Sequence, residues 1–331
     1  MSGLESVGSL LADNANLLIH GLRIFTFADK RHWGPDEHAQ VQALEAALNE
    51  AKRDFQELCP LVNGQAQYEH DRHFETLQEL RLLRTNLQAH IQSLKDWSRS
   101  GGPINPVWVR ETRRLQREMH RAQCRAARRV FTSSQESSRR CLGAFLVRRA
   151  QHKLAAIQPT RGLIGREIEQ RQLKELGACS KIGSFERFAE EDVVFICDFC
   201  DGHLIWHDLE NVPTERSAPY LPSSNANDPH WHATGTTMSG PSERRVIFAP
   251  VAVANHIAPL HGDWQARLTC PYCEELAQQP QDKDDDGDPW RPDEEFEDVE
   301  ALQEHLEWQH PTPLPGTAAA VLPAKDSCLV M

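Results

Sequence analysis

No run of apolar residues in this 331-residue chain approaches the roughly 20 that a bilayer-spanning helix requires. The opening stretch, "MSGLESVGSLLADNANLL", lacks a basic start and carries Glu5 and Asp13, so it does not read as a secretory signal. The expected address is the cytoplasm, where disulfides rarely persist. Also missing are a phosphate-cradling glycine loop, an H-E-x-x-H pair and a G-x-S-x-G nucleophile elbow. Nothing therefore argues for an enzyme, and no small-molecule substrate is evident.

What is present is unevenly distributed. A net charge of −12 conceals two opposed segments. Residues 110–153 hold twelve Arg and one Lys against three Glu, and residues 190–310 hold twenty-six acids against six bases. Such blocks point to different partners for different parts of the chain. Length and an ordinary 40% hydrophobic content allow two or three domains with a real core.

The first hundred residues carry a helical period. Val41, Leu44, Leu48, Ala51, Phe55 and Leu58 recur at steps of three and four, as do Leu77, Leu80, Leu87, Ile91 and Leu94, with Arg84 the one polar seam position. Pro60 and Gly64 between them suggest an antiparallel hairpin, against which a helix over roughly 4–28 packs through Leu11, Leu18, Leu22 and Phe25. Pro106 is placed to open the next helix. That helix has a narrow apolar stripe of Leu115, Met119, Ala122, Ala126 and Val130. Its remaining surface is rich in arginine, with Arg113, Arg117, Arg121, Arg125 and Arg128 as the candidate basic face. Such a face suits an anionic membrane or a nucleic acid, unless it is solvated or docks on the chain's own acidic half. The expected fold is mainly α: a helical bundle or hairpin over 1–100, an Arg-rich helical segment over 104–158 and a helical connector over 159–190. A small α+β module with long irregular loops follows over 191–311, and a flexible tail over 312–331.

Nine cysteines in a reducing compartment need a reading other than disulfides. Cys59, Cys124, Cys141 and Cys179 stand alone and read as buried or inert thiols. Cys270 and Cys273 form a C-x-x-C pair that His305 and His310 can complete, and Cys197 and Cys200 form another that His256 and His261 can complete. Soft thiolates and imidazoles in fours suit a tetrahedral dication, and zinc, two ions per chain, is the expected cofactor. His203, His207, His230 and His232 remain alternatives at the first site; His256 and His261 are preferred because they repeat the spacing of the second. Four protein ligands leave no position for substrate, so the metal is expected to be structural.

The stretch "ALQEHLEWQH" closely resembles the second half of a Cys2His2 zinc finger, and the whole resembles divergent tandem-finger proteins of filamentous fungi. The departure is the spacer, 31 residues from Cys273 to His305 where a finger has about a dozen. The resemblance implies metal binding. It does not carry a DNA reader's helix: the base-reading positions would be Asp298, Ala301 and Glu304 in one finger and Ala249, Ala252 and Asn255 in the other. A protein partner with a basic surface fits better, and a transcriptional regulator in the nucleus, touching nucleic acid through the Arg-rich helix, is the alternative.

Two further motifs stand out. "DKDDDGDPWRPD" (282–293) imitates a calcium loop, but Asp293 replaces the long bidentate Glu and Pro289 interrupts it, so an acidic insert is expected. "CLVM" resembles a CaaX prenylation box with Cys328 as the acceptor, which would hold the chain to the cytosolic face of a membrane.

Overall fold

The computed structural model describes residues 5–62, 65–134, 140–155, 164–214, 231–240, 242–278 and 295–310. Among them are ten α-helices and eight short strands, the mainly α architecture with a small α+β module that the periodicities imply.

Four long helices build the bundle: α1 (Val7–Phe27), α2 (Pro35–Leu58), α4 (Phe74–Ser100) and α5 (Val107–Ser134), with the short α3 (Gln65–His70) in the α2–α4 connection. Two of them start where the sequence supplies a start: Ser6 caps α1 through a reciprocal pair with Ser9, and Pro35 sits in the first turn of α2. The side-chain pairs give the directions. Glu5 meets Arg81 and Arg84 while Phe25 meets Trp97, so α1 and α4 run parallel. Gln40 meets Thr112 and Asp54 meets His120, so α2 and α5 also run parallel. Glu79 meets Arg125 and His90 meets Thr112, which makes α4 and α5 antiparallel. The expected α2–α4 hairpin is therefore replaced by a crossover. The two helices do run in opposite senses, but α2 packs chiefly on α5 and α4 on α1. Arg84, the polar seam residue, explains the choice: on α1 it finds Glu5 and Asp13.

Two apolar clusters fill the molecule. Leu18, Phe25, Leu44, Leu87 and Leu94 belong to one, at the end of the bundle away from the sheets. The other begins with Val7, Leu10 and Leu80 in the bundle and continues without a break through Phe131 and Leu142 to Phe195, Trp206 and Leu306. The helical half and the sheet half thus share a core. Each fully buried Leu or Phe contributes about 1.5–3 kcal/mol, so α5, which supplies both clusters, ties the halves together.

The second half is a set of small antiparallel sheets between helices. β1 (Gly183–Phe188), β2 (Asp192–Cys197) and β3 (His203–Trp206) form a meander in which Phe195 pairs with Phe185 and Leu204. β4 (His232–Thr236) and β5 (Glu243–Ile247) form a hairpin. β6 (His256–Ile257), β7 (Arg267–Thr269) and β8 (Glu295–Phe296) form the third sheet, which Arg140 extends by an isolated bridge to Ile257. Helices α6 (Leu142–Ala155), α7 (Ile164–Cys179) and α8 (Ala249–Ala254) pack on one another. α9 (Pro271–Gln278) follows β7, and α10 (Val299–Gln309) lies against β3, β5, β7 and β8. No described helix is long and apolar enough to cross a membrane.

Candidate metal centre

The β2–β3 turn is the first knuckle. β2 ends on Cys197, whose N–H bonds Gly202 O at 3.1 Å and whose carbonyl accepts from Asp201 N at 2.9 Å. Asp201 takes a positive φ of 53° to close the turn. A side chain at Gly202 would press on Ala266, Pro259 and the Cys200 sulfur, which lies 3.1 Å from where its Cβ would stand. The geometry aims Cys197 and Cys200 inward, and both are buried.

Two further groups meet these thiols. His256, fully buried, points Nδ1 at Val253 O, 2.8 Å away. A carbonyl can only accept, so Nδ1 carries the proton and the lone pair on Nε2 faces Cys200 Sγ at 3.5 Å. The fourth group is Cys141, whose Sγ lies 4.0 Å from Cys197 Sγ. Cys141, Cys197, Cys200 and His256 have their ligand atoms within 4.8 Å of one another.

His261 does not belong to this group. The sequence reading needed a helix carrying both histidines, but α8 ends at Ala254 and His256 enters β6 instead. The chain then turns at Gly262, φ 90°, and leaves His261 exposed. Nor do the alternatives take its place: His203 meets Trp264 edge to face, His207 pairs with Asp192 and His232 meets Trp231 edge to face. His230, the acidic stretch 282–293 and Cys328 lie outside the described residues.

Cys141, read from sequence as an inert thiol, is placed by the start of α6. Its N–H donates to His256 O at 3.1 Å, beside the Arg140–Ile257 bridge, and its carbonyl receives Phe145 N. Gly143, in the first turn of α6, gives room for the sulfurs: a Cβ there would lie 3.1 Å from Cys197 Sγ, Ile182 and Phe199. Burial raises the Cys141 thiol. Hydrogen bonds from Cys197 and Cys200, the Arg128 charge and Gly143 N–H outweigh that and hold it well below the usual thiol range. Burial and the two neighbouring cysteines push Cys197 well above it. The only sequence signal for Cys141 was its position at a helix start, where backbone N–H groups favour a thiolate.

The second group is Cys270, Cys273, His305 and His310, again within 4.8 Å. Cys270 closes β7 and accepts from Cys273 N at 3.5 Å. Cys273 Sγ stands 3.3 Å from His305 Nε2 and 3.2 Å from His310 Nε2. His305 lies within α10, whose N-cap Asp298 accepts from Ala301 N. His310 is the residue just past the helix, with φ −131° and ψ 54°, and that departure swings it back to the same point. Its carbonyl is held by Trp231 Nε1 at 3.0 Å. Burial, helped by the nearby cysteine charge, pushes Cys270 up to about 12. Burial and the His305 charge lower His310, keeping it in the neutral form a ligand needs.

These separations are what a single ion demands. With metal–sulfur bonds of about 2.3 Å and metal–nitrogen bonds of about 2.0 Å, tetrahedral ligands stand roughly 3.8 Å apart for S–S and 3.6 Å for S–N. The Cys141–Cys197, Cys200–His256, Cys273–His305 and Cys273–His310 pairs meet that spacing within a few tenths of an ångström, and with all ligand atoms within 4.8 Å of one another each quartet can hold a metal ion.

Between the quartets runs a polar bridge made of the ligands' chain neighbours. Arg140 donates to Asn255 Oδ1 at 2.8 Å and to Glu274, and Arg148 donates to the same Asn255 oxygen at 3.0 Å. The Asn255 carbonyl receives Thr269 N at 3.0 Å. Cys141, His256, Cys270 and Cys273 each sit next to a member of this network.

The Arg-rich helix is partly committed to the first knuckle. Arg121 donates to Asp198 at 2.8 Å, and Arg125 to Asp201 at 3.3 Å and to Glu79. His120 lies between Asp54 (2.9 Å) and Asp198 (3.6 Å). Arg113 and Arg117 are exposed, and Arg128 is half-buried near Cys141. Comparison with protein-family models, curated proteins and solved structures returns no match.

Proposed function

We propose that the chain is a zinc protein whose two ions are structural, and that it works as an adaptor or regulator through contacts with other proteins. The observation that carries the first half is the pair of closed quartets. Three thiols with one imidazole, and two of each, are donor sets that favour zinc over hard cations. With four protein donors apiece they leave no coordination position for a substrate.

Support for a protein partner comes from the helices a DNA-reading finger would use. α8 is buried along its whole length, which leaves no face for a groove. α10 carries Glu300, Glu304 and Glu307 on its exposed side, and carboxylates repel phosphates. A second reading rests on Arg110, Arg113 and Arg117, exposed on the first half of α5 and without an ion-pair partner among the described residues. They suit an anionic surface, nucleic acid or membrane. Elemental analysis of chain purified without chelator should give two zinc ions, and the loaded chain should bind neither duplex DNA nor anionic vesicles in a salt-dependent way. Absence of metal overturns the first half; DNA or vesicle binding that weakens steeply with salt overturns the second.

A further inference from the structure

Phe199, inside the first knuckle, forms one wall of a cavity of about 330 Å³ between α2, α5, α6 and the turn from α7 to β1. Its floor is apolar: Leu58, Ile182 and Phe199 are buried and Leu146 half-buried. Its rim is not. Arg149 and Lys153, one turn apart on the exposed side of α6, and Lys181 in the α7–β1 turn all line it, and all three are exposed. None has an ion-pair partner among the described residues. In a chain with 48 acids to 36 bases that is unexpected, since Arg121, Arg125, Arg140 and Arg148 nearby are all paired. The inner wall adds His120, whose Nδ1 faces Asp54. Asp54 is thereby engaged, which leaves Glu57 as the one uncommitted carboxylate of the lining.

We propose that this cavity binds a small amphipathic anion, a carboxylate or phosphate monoester on a short aliphatic or aromatic body. An apolar floor with a few converging polar groups is the usual make-up of a ligand site, and the volume lies at the small end of the range for such sites. The apolar body would displace water from Leu58, Ile182 and Phe199, and the anionic head would meet Arg149, Lys153 and Lys181 at the mouth. A free solute rather than a membrane lipid is favoured by the floor, which lies between packed helices. The site is independent of metal coordination, although Phe199 belongs to the knuckle.

The test uses the full chain with its metal content measured, titrated by calorimetry with octanoate, octyl phosphate, octanol and octylamine. Octanoate and octyl phosphate should saturate at one site and bind at least tenfold tighter than octanol or octylamine. The double variant Arg149→Glu/Lys153→Glu should weaken octanoate at least tenfold with metal content unchanged, and Ala178→Phe, which fills the cavity, should remove binding of all four. Both charge changes are at exposed positions, where folding is little affected. No saturable binding, or equal binding of octanol and octanoate, overturns the proposal. So does an unchanged affinity in the charge-reversed variant, which would mean that the three cations merely cover apolar surface with their stems.

Discussion

Replacing Cys141 by Ser is the perturbation that separates this structure from every arrangement the sequence alone suggests. The sulfur is buried with Cys197, Cys200 and His256 and, with a hydroxyl in its place, one of four soft donors is gone. Structural zinc sites bind with about 10–16 kcal/mol, so an equal quarter is roughly 2.5–4 kcal/mol. At about 1.4 kcal/mol per factor of ten, the first site should weaken by two to three orders of magnitude. Competition with a chromophoric zinc chelator reads this directly: the variant should surrender one ion early and keep the other longer. His261→Ala, at an exposed turn position, should shift stability by no more than about 0.5 kcal/mol and leave both ions in place. The reasoning is refuted if the Cys141 variant holds both ions as tightly as the parent while the His261 variant loses one.

Further consequences follow from the same geometry. Gly143→Ala puts a methyl 3.1 Å from the Cys197 sulfur and should cost about 1–3 kcal/mol in urea denaturation of the zinc-loaded chain. Asn255→Ala removes the oxygen that Arg140 and Arg148 share, leaving them only Glu274 and Glu275, and should speed zinc release from both sites, a loss of about 1–3 kcal/mol visible as two accelerated phases in chelator-chase kinetics. Burial disfavours a charged His120, but the hydrogen bond to Asp54 and the charges of Asp54, Asp198 and Glu50 outweigh it and raise its pKa. A raised histidine stabilises the fold fully below its unfolded value of about 6.5, and the benefit is lost as pH climbs through the folded value. The stability gap between the parent and His120→Gln, measured by urea melts at saturating zinc, should therefore be largest near pH 6 and shrink at higher pH. A gap that grows with pH would contradict the clamp.

Where one element's own pattern decides the outcome, the sequence was readable. The stripe Leu115, Met119, Ala122, Ala126 and Val130 is buried as its spacing requires, and α5 begins just after Pro106. The Cys270, Cys273, His305 and His310 quartet comes together because a knuckle and a helix end are both local signals. What long-range packing decides was not readable. The spacing of Leu77 to Leu94 says that a helix has a buried face, not that α1 rather than α2 will cover it. Cys141 is 56 residues from Cys197 and has no partner at a recognisable interval. The histidine spacing that links His256 to His261 in the sequence is the same as that of His305 and His310. It fails in the first case because α8 stops after Ala254, and succeeds in the second because His310 leaves the helix at the right point.

The central claim is the composition of the two coordination shells, and X-ray absorption at the zinc edge of the loaded chain measures it. Cys141, Cys197, Cys200 and His256 with Cys270, Cys273, His305 and His310 give five sulfurs and three nitrogens over two ions. A fit with that ratio is the expected result. An equal share of sulfur and nitrogen, oxygen in the shell, or no bound zinc would contradict it.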